Sequence, residues 1–498
     1  MTDLGADIVV VGAGNAALAA ALTARDAGAN VIVLEAAPMA ERGGNSSYTG
    51  GALRIVYDSV DDLRTVMPEL SDEEIRTTDF GTYSADQYFD DMARLTQYRA
   101  QPELVETLVA GSRSALAWMR TKGIRFQPSY HRQAFKVDGR FKFWGGLAVE
   151  SWGGGAGLMD AWYRAADVAG IAVHYETRAT ALERDDKGHV VGVVARRGGQ
   201  TQLYRAKAVV LAAGGFEANA EWRARYLGPG WDLAKVRGSR HNQGDGIRMA
   251  LEIGAMPFGH WSGCHSVGWD RNAPEFGDLS VGDGFQKHSY PFGIMVNARG
   301  QRFVDEGADF RNYTYAIYGR SILEQPGQFA WQVFDAKAQP LLRGEYRIKQ
   351  ATRVRADHLD ALATQLEGVD PNGFLETVRA YNAAIRSDIK FDPNIKDGRC
   401  TAGLTPPKSN WAMAIDTPPF EAYAVTCGIT FTFGGLQIDR AARVLDPAEQ
   451  PIPGLYAAGE LVGGLFYFNY PGGTGLVSGA VFGRIAGAKA AKRARSGA

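Results

Sequence analysis

The sequence predicts an α/β fold in which a domain built on a parallel sheet is interrupted by a second, inserted domain. Short apolar strands run into glycine turns at three places, residues 7–14, 208–215 and 455–459. Between the last two, residues 255–415 become rich in aromatic, histidine and arginine side chains. A chain of 498 residues also exceeds the roughly 250–300 residues that one core accommodates, so two to three domains are expected.

The first 35 residues read as strand, glycine turn, helix, strand and acid. Gly12 permits the tight turn, Gly14 lets the backbone approach a pyrophosphate, and Ala17 keeps the helix close to the sheet. The helix N-terminus offers unpaired N–H groups to phosphates. Glu35 stands where an acid accepts a hydrogen bond from a ribose hydroxyl. This pattern predicts a Rossmann-like unit that binds a dinucleotide, and an acid at this position favours FAD or NAD over NADP.

A second glycine-rich segment, RGGNSSYTGG at residues 42–51, follows directly. Two glycine pairs bracket serine and threonine hydroxyls. Because the segment lies so close to the ribose-binding acid, we expect a loop that runs along the cofactor and donates hydrogen bonds to it. The alternative is a flexible surface loop.

The remaining pattern divides the chain into three segments. Residues 1–237 are predicted to form the first part of the dinucleotide-binding domain, with a helical insertion at 60–125 that includes a capping box at Ser71 and Glu74. Residues 238–417 are predicted to form a capping and substrate domain. Residues 418–498 return to the first domain and end in a helix over Val477–Arg495.

Composition and charge exclude several classes of protein. The apolar content of 45% and charged content of 22% are those of an ordinary soluble protein. A net charge of −1 gives no electrostatic case for binding nucleic acid or membrane surfaces. The three cysteines are far apart and form no CxxC motif, so no disulfide framework and no metal site are expected. The chain opens on a strand with no apolar leader, and no transmembrane run is present, so we expect a cytoplasmic protein.

With these segments placed, the whole chain resembles the fumarate reductase/succinate dehydrogenase flavoprotein superfamily. The matching motifs, in order, are VVVGAGNAALAAA, GGNSSYTGG, AVVLAAGGFEAN, GDGIRMA, GQRFVDE, GLYAAGE and GLVSGAVFGRIAG. The segments GHWSGCH and LFYFNYPGGTGL look most like the FAD-dependent tricarballylate dehydrogenase branch. The resemblance implies a glutathione-reductase-like flavoprotein: a Rossmann-like FAD-binding domain with an inserted α+β capping domain.

The resemblance also implies FAD that is not covalently attached. Covalent members carry a histidine in the loop that holds Gly44, Asn45 and Ser46 in this chain. Haem and Fe–S modules of some relatives are lacking, which implies a separate electron acceptor, either a membrane Fe–S or haem protein or a quinone-linked carrier. The residues expected to bind FAD are Gly12, Gly14, Asn15, Ala16, Glu35, Ala36, Gly43, Gly44, Asn45, Ser46, Thr49, Gly50, Gly51, Ala179, Ala213, Gly214, Gly459, Glu460, Thr474, Gly475, Leu476 and Val477.

Similarity to the fumarate reductases assigns three further residues. His265 matches a histidine of the reductases, Glu306 matches the proton-relaying glutamate of the R-F-V-x-E motif, and Arg311 matches the arginine after it with a spacing two residues longer. Other reductase positions differ. Gln339 lies near the position of the proton-donating arginine, and Thr430 with Phe431 replaces a pair of histidines. A fumarate reductase is therefore not expected.

Tyr470 stands where the reductases have a substrate-clamping arginine, and the Tyr-Pro-Gly segment is similar to the ketosteroid dehydrogenases. In those enzymes a tyrosine and a neighbouring glycine amide polarise a ketone, which here implies Tyr470 and Gly473. They also place a catalytic tyrosine shortly after R-F-x-x-E, where this chain has Tyr313 and Tyr315. An adjacent cation, Arg311, is expected to lower the pKa of Tyr313.

Two sets of candidates result, catalytic and substrate-binding, and several other polar residues are interpreted as structural. The catalytic candidates are Arg311, Glu306, Tyr470 and Tyr313. The substrate-binding candidates are His265, Arg311, Thr430, Tyr470 and Gly473. The residues expected to have structural roles are His260, His288, Arg54, Arg240 and Cys264.

The leading hypothesis is an FAD-dependent dehydrogenase that forms a C=C bond next to a carboxylate in a small polycarboxylate such as tricarballylate. Hydride transfer to flavin N5 would accompany proton abstraction at the adjacent carbon. Two alternatives stay open: a desaturase of cyclic ketones or ketosteroid-like substrates, and a flavin-carrying electron-transfer subunit.

Overall fold

The computed structural model describes residues 3–496, so the first two and last two residues of the predicted domains lie outside the described residues. Within this range the strands are β1 Asp3–Gly5, β2 Ile8–Val11, β3 Val31–Leu34, β4 Ala52–Leu53, β5 Thr78–Asp79, β6 Phe126–Pro128, β7 Ala134–Val137, β8 Arg140–Phe143, β9 Val149–Ser151, β10 Ala172–His174, β11 Thr177–Arg184, β12 Val190–Arg197, β13 Gln200–Arg205, β14 Ala208–Leu211, β15 Lys235–Val236, β16 Pro257–Asp270, β17 Ile294–Val296, β18 Phe329–Phe334, β19 Arg353–Ala356, β20 Phe420–Leu436, β21 Arg443–Leu445 and β22 Pro451–Ala457.

The α-helices alternate with these strands. They are α1 Asn15–Asp26, α2 Val60–Val66, α3 Asp72–Thr77, α4 Ala85–Leu95, α5 Pro102–Thr121, α6 Tyr130–Gln133, α7 Gly154–Val168, α8 Ala220–Trp222, α9 Asp245–Glu252, α10 Arg311–Leu323, α11 Leu359–Gln365, α12 Pro371–Ala384 and α13 Thr474–Ser496. The predicted capping box at Ser71 and Glu74 begins α3.

A six-stranded sheet of order β10-β3-β2-β14-β22-β21 forms the first domain. All its pairings are parallel except the one between β21 and β22. The strands β2 and β14 are fully buried apolar runs, as expected of a parallel sheet covered on both faces. The predicted α/β fold with a Rossmann-like domain is therefore confirmed.

Helices α1 and α13 cross on one face of this sheet with their backbones in close approach. A Cβ atom added to Gly483 would lie 2.5 Å from the carbonyl oxygen of Ala16, and one on Gly487 would lie 2.2 Å from that of Ala20. The Asn15 side chain also donates to the carbonyl of Leu476 (2.8 Å). These contacts hold the N-termini of both helices side by side at the end of β2.

A second six-stranded sheet, β15-β20-β18-β17 with β16 and β19 also on β20, forms the cap. Its central strand is β20, which the sequence places in the returning segment, and β15 comes from the end of the predicted first domain. Strands that the sequence assigns to the first domain therefore form part of the cap sheet at both junctions. The domain boundaries at 237/238 and 417/418 stay predictions. Helix α10 lies against β16. None of the helices within residues 3–496 is long and apolar enough to cross a membrane.

Candidate active site

One large cavity lies where the two sheets meet. It encloses about 1580 Å³ of empty space, counting the part open to solvent. One end is lined by the glycine turns and helix N-termini of the first domain. The other end is lined by side chains of the cap together with the segment before α13. The cavity can therefore hold a dinucleotide and a second molecule beside it.

The turn after β2 requires glycine at its first position. Gly12 has φ +101°, and an added Cβ would lie 2.3 Å from the carbonyl oxygen of Ala212. Gly14 precedes α1, which has no side-chain cap, and the Asn15 N–H meets Ser46 Oγ (3.2 Å). The start of α1 thus presents backbone donors to the cavity, the arrangement that binds phosphate groups.

Glu35 lines the cavity at the end of β3, where the sequence predicts a ribose-binding acid. Its Oε1 accepts a hydrogen bond from the Ala37 N–H (2.8 Å), and burial raises the pKa of the carboxyl group. The side chain is therefore fixed in place by its own turn, at the end of the strand where such folds bind the ribose of a dinucleotide.

A buried hydrogen-bond network fixes the loop at 42–51 against the cap. Asn45 donates from Nδ2 to Glu217 Oε1 (2.5 Å) and to the Thr430 carbonyl (2.8 Å), and its Oδ1 accepts the Ser239 N–H (2.8 Å). Glu217 hydrogen-bonds Glu460, which lines the cavity. Burial raises the pKa of both carboxyl groups, and the neighbouring charge of Glu217 raises that of Glu460 further.

Most of the residues predicted to bind the cofactor line this cavity. They are Gly12, Gly14, Asn15, Ala16, Glu35, Ala36, Gly44, Asn45, Ser46, Thr49, Gly50, Ala179, Ala213, Gly214, Gly459, Glu460, Gly475 and Leu476. Gly43, Gly51, Thr474 and Val477 lie outside the lining. Gly43 and Gly51 have positive φ at turns where a Cβ would meet a serine hydroxyl at 2.2 and 2.1 Å, so they shape the loop.

The other end of the cavity is organised by α10, which begins at Arg311. Residues four apart on a helix share a face, and Arg311 and Tyr315 both line the cavity with Asn312. The Asn312 carbonyl accepts the N–H of Gly472 (2.8 Å), which fixes the turn that carries Tyr470. Helix α10 thus positions both Arg311 and the turn that carries Tyr470, two residues that the sequence assigns to the substrate.

Arg311 is a buried cation without an acidic partner. It donates from Nη1 to His288 Nδ1 (3.2 Å) and from Nη2 to the Arg132 carbonyl (2.6 Å). Within residues 3–496, no carboxylate lies within 4.0 Å of its guanidinium. Burial lowers the pKa of Arg311 from its usual value, since nothing nearby fully compensates the charge.

Two other arginines of the cavity are neutralised by one acid. Asp283 accepts from Arg237 Nε (2.9 Å) and Nη2 (2.6 Å), and lies 2.9 Å from Arg132 Nη1. Arg237 also reaches the Thr430 hydroxyl (3.4 Å). Because Asp283 already pairs with both side chains, Arg311 is the cation of this end that is most available to an anionic ligand.

Two histidines and two tyrosines complete the surface. The hydroxyls of Tyr315 and Tyr470 lie 2.6 Å apart, and burial raises the pKa of both, so both stay protonated at neutral pH. His265 packs edge-on against these rings at 4.9 and 5.0 Å, and neither of its ring nitrogens has a partner in the described part of the chain. Burial lowers the pKa of His265 and of His288 well below the usual value, so both are neutral.

Two catalytic candidates from the sequence lie outside this cavity. Tyr313 faces away on α10 and donates to Asp91 (2.6 Å), and burial raises its pKa to about 12, opposite to the lowering expected from Arg311. Glu306 is fully buried, pairs with Arg302 (2.5 Å) and accepts the Met295 N–H (2.9 Å), so it fixes the loop before α10. Neither side chain lines the cavity, so the structure does not support the predicted catalytic roles of Tyr313 and Glu306.

The remaining candidates are distributed as follows. His265, Thr430, Tyr470 and Gly473 line the cavity with Arg311, and their roles in substrate binding stay predictions. His288, interpreted from sequence as structural, also lines it. Sequence reasoning missed Arg132, Arg237, Asp283 and Gln286, which carry no local motif and meet only through the fold. Arg54 is fully buried and holds the Gly472 carbonyl (2.8 Å), a positioning contact.

Comparison with known proteins agrees with this geometry. The profile of the FAD binding domain family matches residues 7–476. The chain is 31% identical over 496 residues to the probable fumarate reductase Ifc3 of Shewanella frigidimarina (strain NCIMB 400), covering 98% of this chain and 75% of that protein. The open conformation of a flavocytochrome c3 fumarate reductase superimposes with a TM-score of 0.74 at 29% identity, covering 99% and 79% of the two chains. A 3-ketosteroid-Δ4-(5α)-dehydrogenase from Rhodococcus jostii RHA1 gives 0.69 at 25% identity, covering 98% and 97%.

Proposed function

From the premise that the chain belongs to the FAD binding domain family, within the fumarate reductase/succinate dehydrogenase flavoprotein superfamily, we propose that it is a dehydrogenase of small polycarboxylates such as tricarballylate. The coarser activity is that of an FAD-dependent oxidoreductase acting on C–C double bonds of carboxylate or ketone substrates. The finer proposal is that a saturated acid is the substrate and that the new C=C bond lies next to a carboxylate.

The observation that carries the proposal is Arg311. A buried guanidinium with no acid within 4.0 Å, held by a backbone carbonyl and a neutral histidine, is a site prepared for an anion. A carboxylate here would offset the cost of burying the charge. A neutral ketone alone would leave that cost in place.

The first domain fits FAD, which supplies the hydride acceptor when bound. The glycine turn at Gly12, the uncapped start of α1 and the acid at Glu35 would hold its phosphates and ribose. Gly475 and Leu476 place the start of α13 on the same cavity, where backbone donors stabilise negative charge. No histidine stands at 44–46, so we propose a non-covalent cofactor.

The substrate loses one hydrogen as hydride and the other as a proton. His265 can accept the proton when a substrate carboxylate lies beside it, because that negative charge opposes the burial that lowers its pKa. Both of its ring nitrogens lack a partner among the described residues. The hydroxyls of Tyr315 and Tyr470 are protonated and therefore act as hydrogen-bond donors to an oxygen of the substrate. Arg311 lowers the energy of negative charge that develops next to the carboxylate.

A second candidate is a desaturase of cyclic ketones. It is favoured by the Tyr315–Tyr470 pair, whose hydroxyls lie 2.6 Å apart beside the glycine turn at 472–473 and could polarise a ketone oxygen. It leaves Arg311 without a function in binding. An electron-transfer subunit without its own substrate is the third candidate, and it leaves both Arg311 and the unpartnered His265 unexplained.

Binding of ligands to the oxidised holoenzyme separates the first two candidates. Titration with succinate is expected to perturb the flavin absorbance, whereas cyclohexanone at the same concentrations should leave it unchanged. Tyr470→Phe removes one hydroxyl donor and leaves the charge-assisted contact of Arg311, so it should weaken succinate binding by about tenfold or less. Perturbation by cyclohexanone that disappears in Tyr470→Phe would instead establish the ketone candidate.

The electron acceptor follows from the same proposal. Because the relatives of the chain include a fumarate reductase (cytochrome) of Shewanella frigidimarina, we propose that a separate carrier, such as a haem protein, reoxidises the protein. An acceptor of that kind and a cytoplasmic location stay predictions from the sequence.

A further inference from the structure

A smaller cavity adjoins the active-site cavity on the side of the cap. We call it the Arg343 pocket. It is lined by Arg343 and by the aromatic side chains of Phe135, Trp144, Phe292, Phe310 and Trp411. His288 and Arg311 line both cavities, so their hydrogen-bonded pair lies where the two cavities meet.

Three buried nitrogens on residues that line this pocket have no partner among the described residues. They are Arg343 Nη2, Trp144 Nε1 and His288 Nε2. An arginine can only donate, so the Arg311 bond to His288 Nδ1 makes Nδ1 the acceptor and puts the hydrogen of the neutral ring on Nε2. Buried donors are almost always paired, and each unpaired donor costs free energy. Three of them around one cavity therefore indicate a missing acceptor.

The pocket also carries positive charge, because Arg343 and Arg311 both line it. Arg343 donates from Nη1 to the Ala134 carbonyl (3.1 Å) and lies 3.8 Å over the Phe135 ring. No carboxylate within residues 3–496 lies within 4.0 Å of it. Burial and the nearby charge of Arg311 lower the pKa of Arg343 to about 9, although the charge of Glu345 acts in the opposite direction. An anion in the pocket would stabilise the charged form of both arginines.

We propose that the Arg343 pocket is a second anion subsite that receives a carboxylate of the substrate, beyond the one held by Arg311. This inference rests on the proposed function and deepens it, because it requires a substrate with at least two carboxylates. The donors of Arg343, Trp144 and His288 supply three hydrogen bonds to the carboxylate oxygens, and the surrounding aromatic rings exclude water. The pocket then selects polycarboxylates over monocarboxylates of similar size.

The test compares acids that differ in the number of carboxylates, with binding measured by calorimetry on the anaerobically reduced holoenzyme, because its flavin cannot oxidise a saturated acid. Arg343→Met keeps most of the side-chain volume and removes the charge. It should weaken tricarballylate binding by at least about tenfold, while propionate binding changes by less than about threefold. Arg343→Lys should recover most of the loss. Arg347→Met, on the same segment and paired with Glu421 (3.0 Å), should change neither.

Equal losses for both acids, or no loss in Arg343→Met, would overturn the subsite while leaving the proposed function intact, provided that binding depends on Arg311. If no acid binds to the wild type, the proposed function itself fails. A separate arm needs no substrate: sodium formate should raise the thermal unfolding temperature of wild type more than that of Arg343→Met. If formate has this effect but Arg343→Met leaves the ratio of tricarballylate to propionate affinity unchanged, the pocket binds a free anion. That outcome would contradict its assignment to the substrate.

Discussion

Replacing Arg311 by methionine is expected to lower the rate of flavin reduction at saturating acid by roughly 100-fold or more. The guanidinium is the buried cation of the cavity without an acidic partner, so it is the group that stabilises charge developing beside the substrate carboxylate. Loss of one such contact costs about 2.7–4 kcal/mol, at about 1.36 kcal/mol per tenfold in rate. Stopped-flow reduction under anaerobic conditions measures it directly.

The control for this variant is Arg248→Met, which removes an exposed arginine paired with Glu252 on α9. It should reduce its flavin at the wild-type rate. FAD content should be equal in both variants, because neither side chain lines the dinucleotide end of the cavity. A wild-type rate for Arg311→Met would show that the substrate lies elsewhere.

Gly12→Ala is expected to abolish FAD binding. The new Cβ would lie 2.3 Å from the Ala212 carbonyl, in a backbone conformation with φ +101° that L-residues rarely adopt. Either the segment after β14, at Ala212, or the phosphate-binding turn must shift, and both line the cofactor end of the cavity. After acid precipitation, the supernatant of wild type should hold about one FAD per chain, and that of the variant less than about a tenth as much.

Gly28→Ala provides the matched control, because Gly28 has φ +84° but no atom within 4 Å of its added Cβ. It carries the cost of the left-handed conformation, about 1–2 kcal/mol, without the collision. FAD content should therefore remain near that of wild type. Equal losses of FAD in the two variants would mean that general instability, and not the turn, removes the cofactor.

The cofactor end of the site could be read from the sequence because its geometry is local. A strand, a glycine with positive φ and a helix start lie within a few residues of each other, and only glycine meets the steric demand at Gly12. The acid at Glu35 is fixed by the next strand of the same unit. The central strands of the parallel sheet were predictable for a related reason, since buried parallel strands are continuous apolar runs.

The substrate end could be read only in part. Tyr313 and Tyr315 lie in the same stretch, but helix α10 is buried on both sides and shows no apolar stripe that would reveal which face meets the cavity. Residues two apart point in opposite directions, so Tyr315 shares the face of Arg311 and Tyr313 does not. Arg132, Arg237 and Asp283 come from three distant segments, and no local spacing brings them together.

The central claim is that this site oxidises a small polycarboxylate, and anaerobic titration with tricarballylate tests it most directly. Stepwise addition to the oxidised holoenzyme should bleach the flavin absorbance. The product should be lighter than the added acid by two hydrogen atoms and present in proportion to the flavin reduced. A flavin that stays oxidised with tricarballylate and succinate, but is reoxidised from its reduced form by an unsaturated acid, would contradict the claim and define the protein as a reductase.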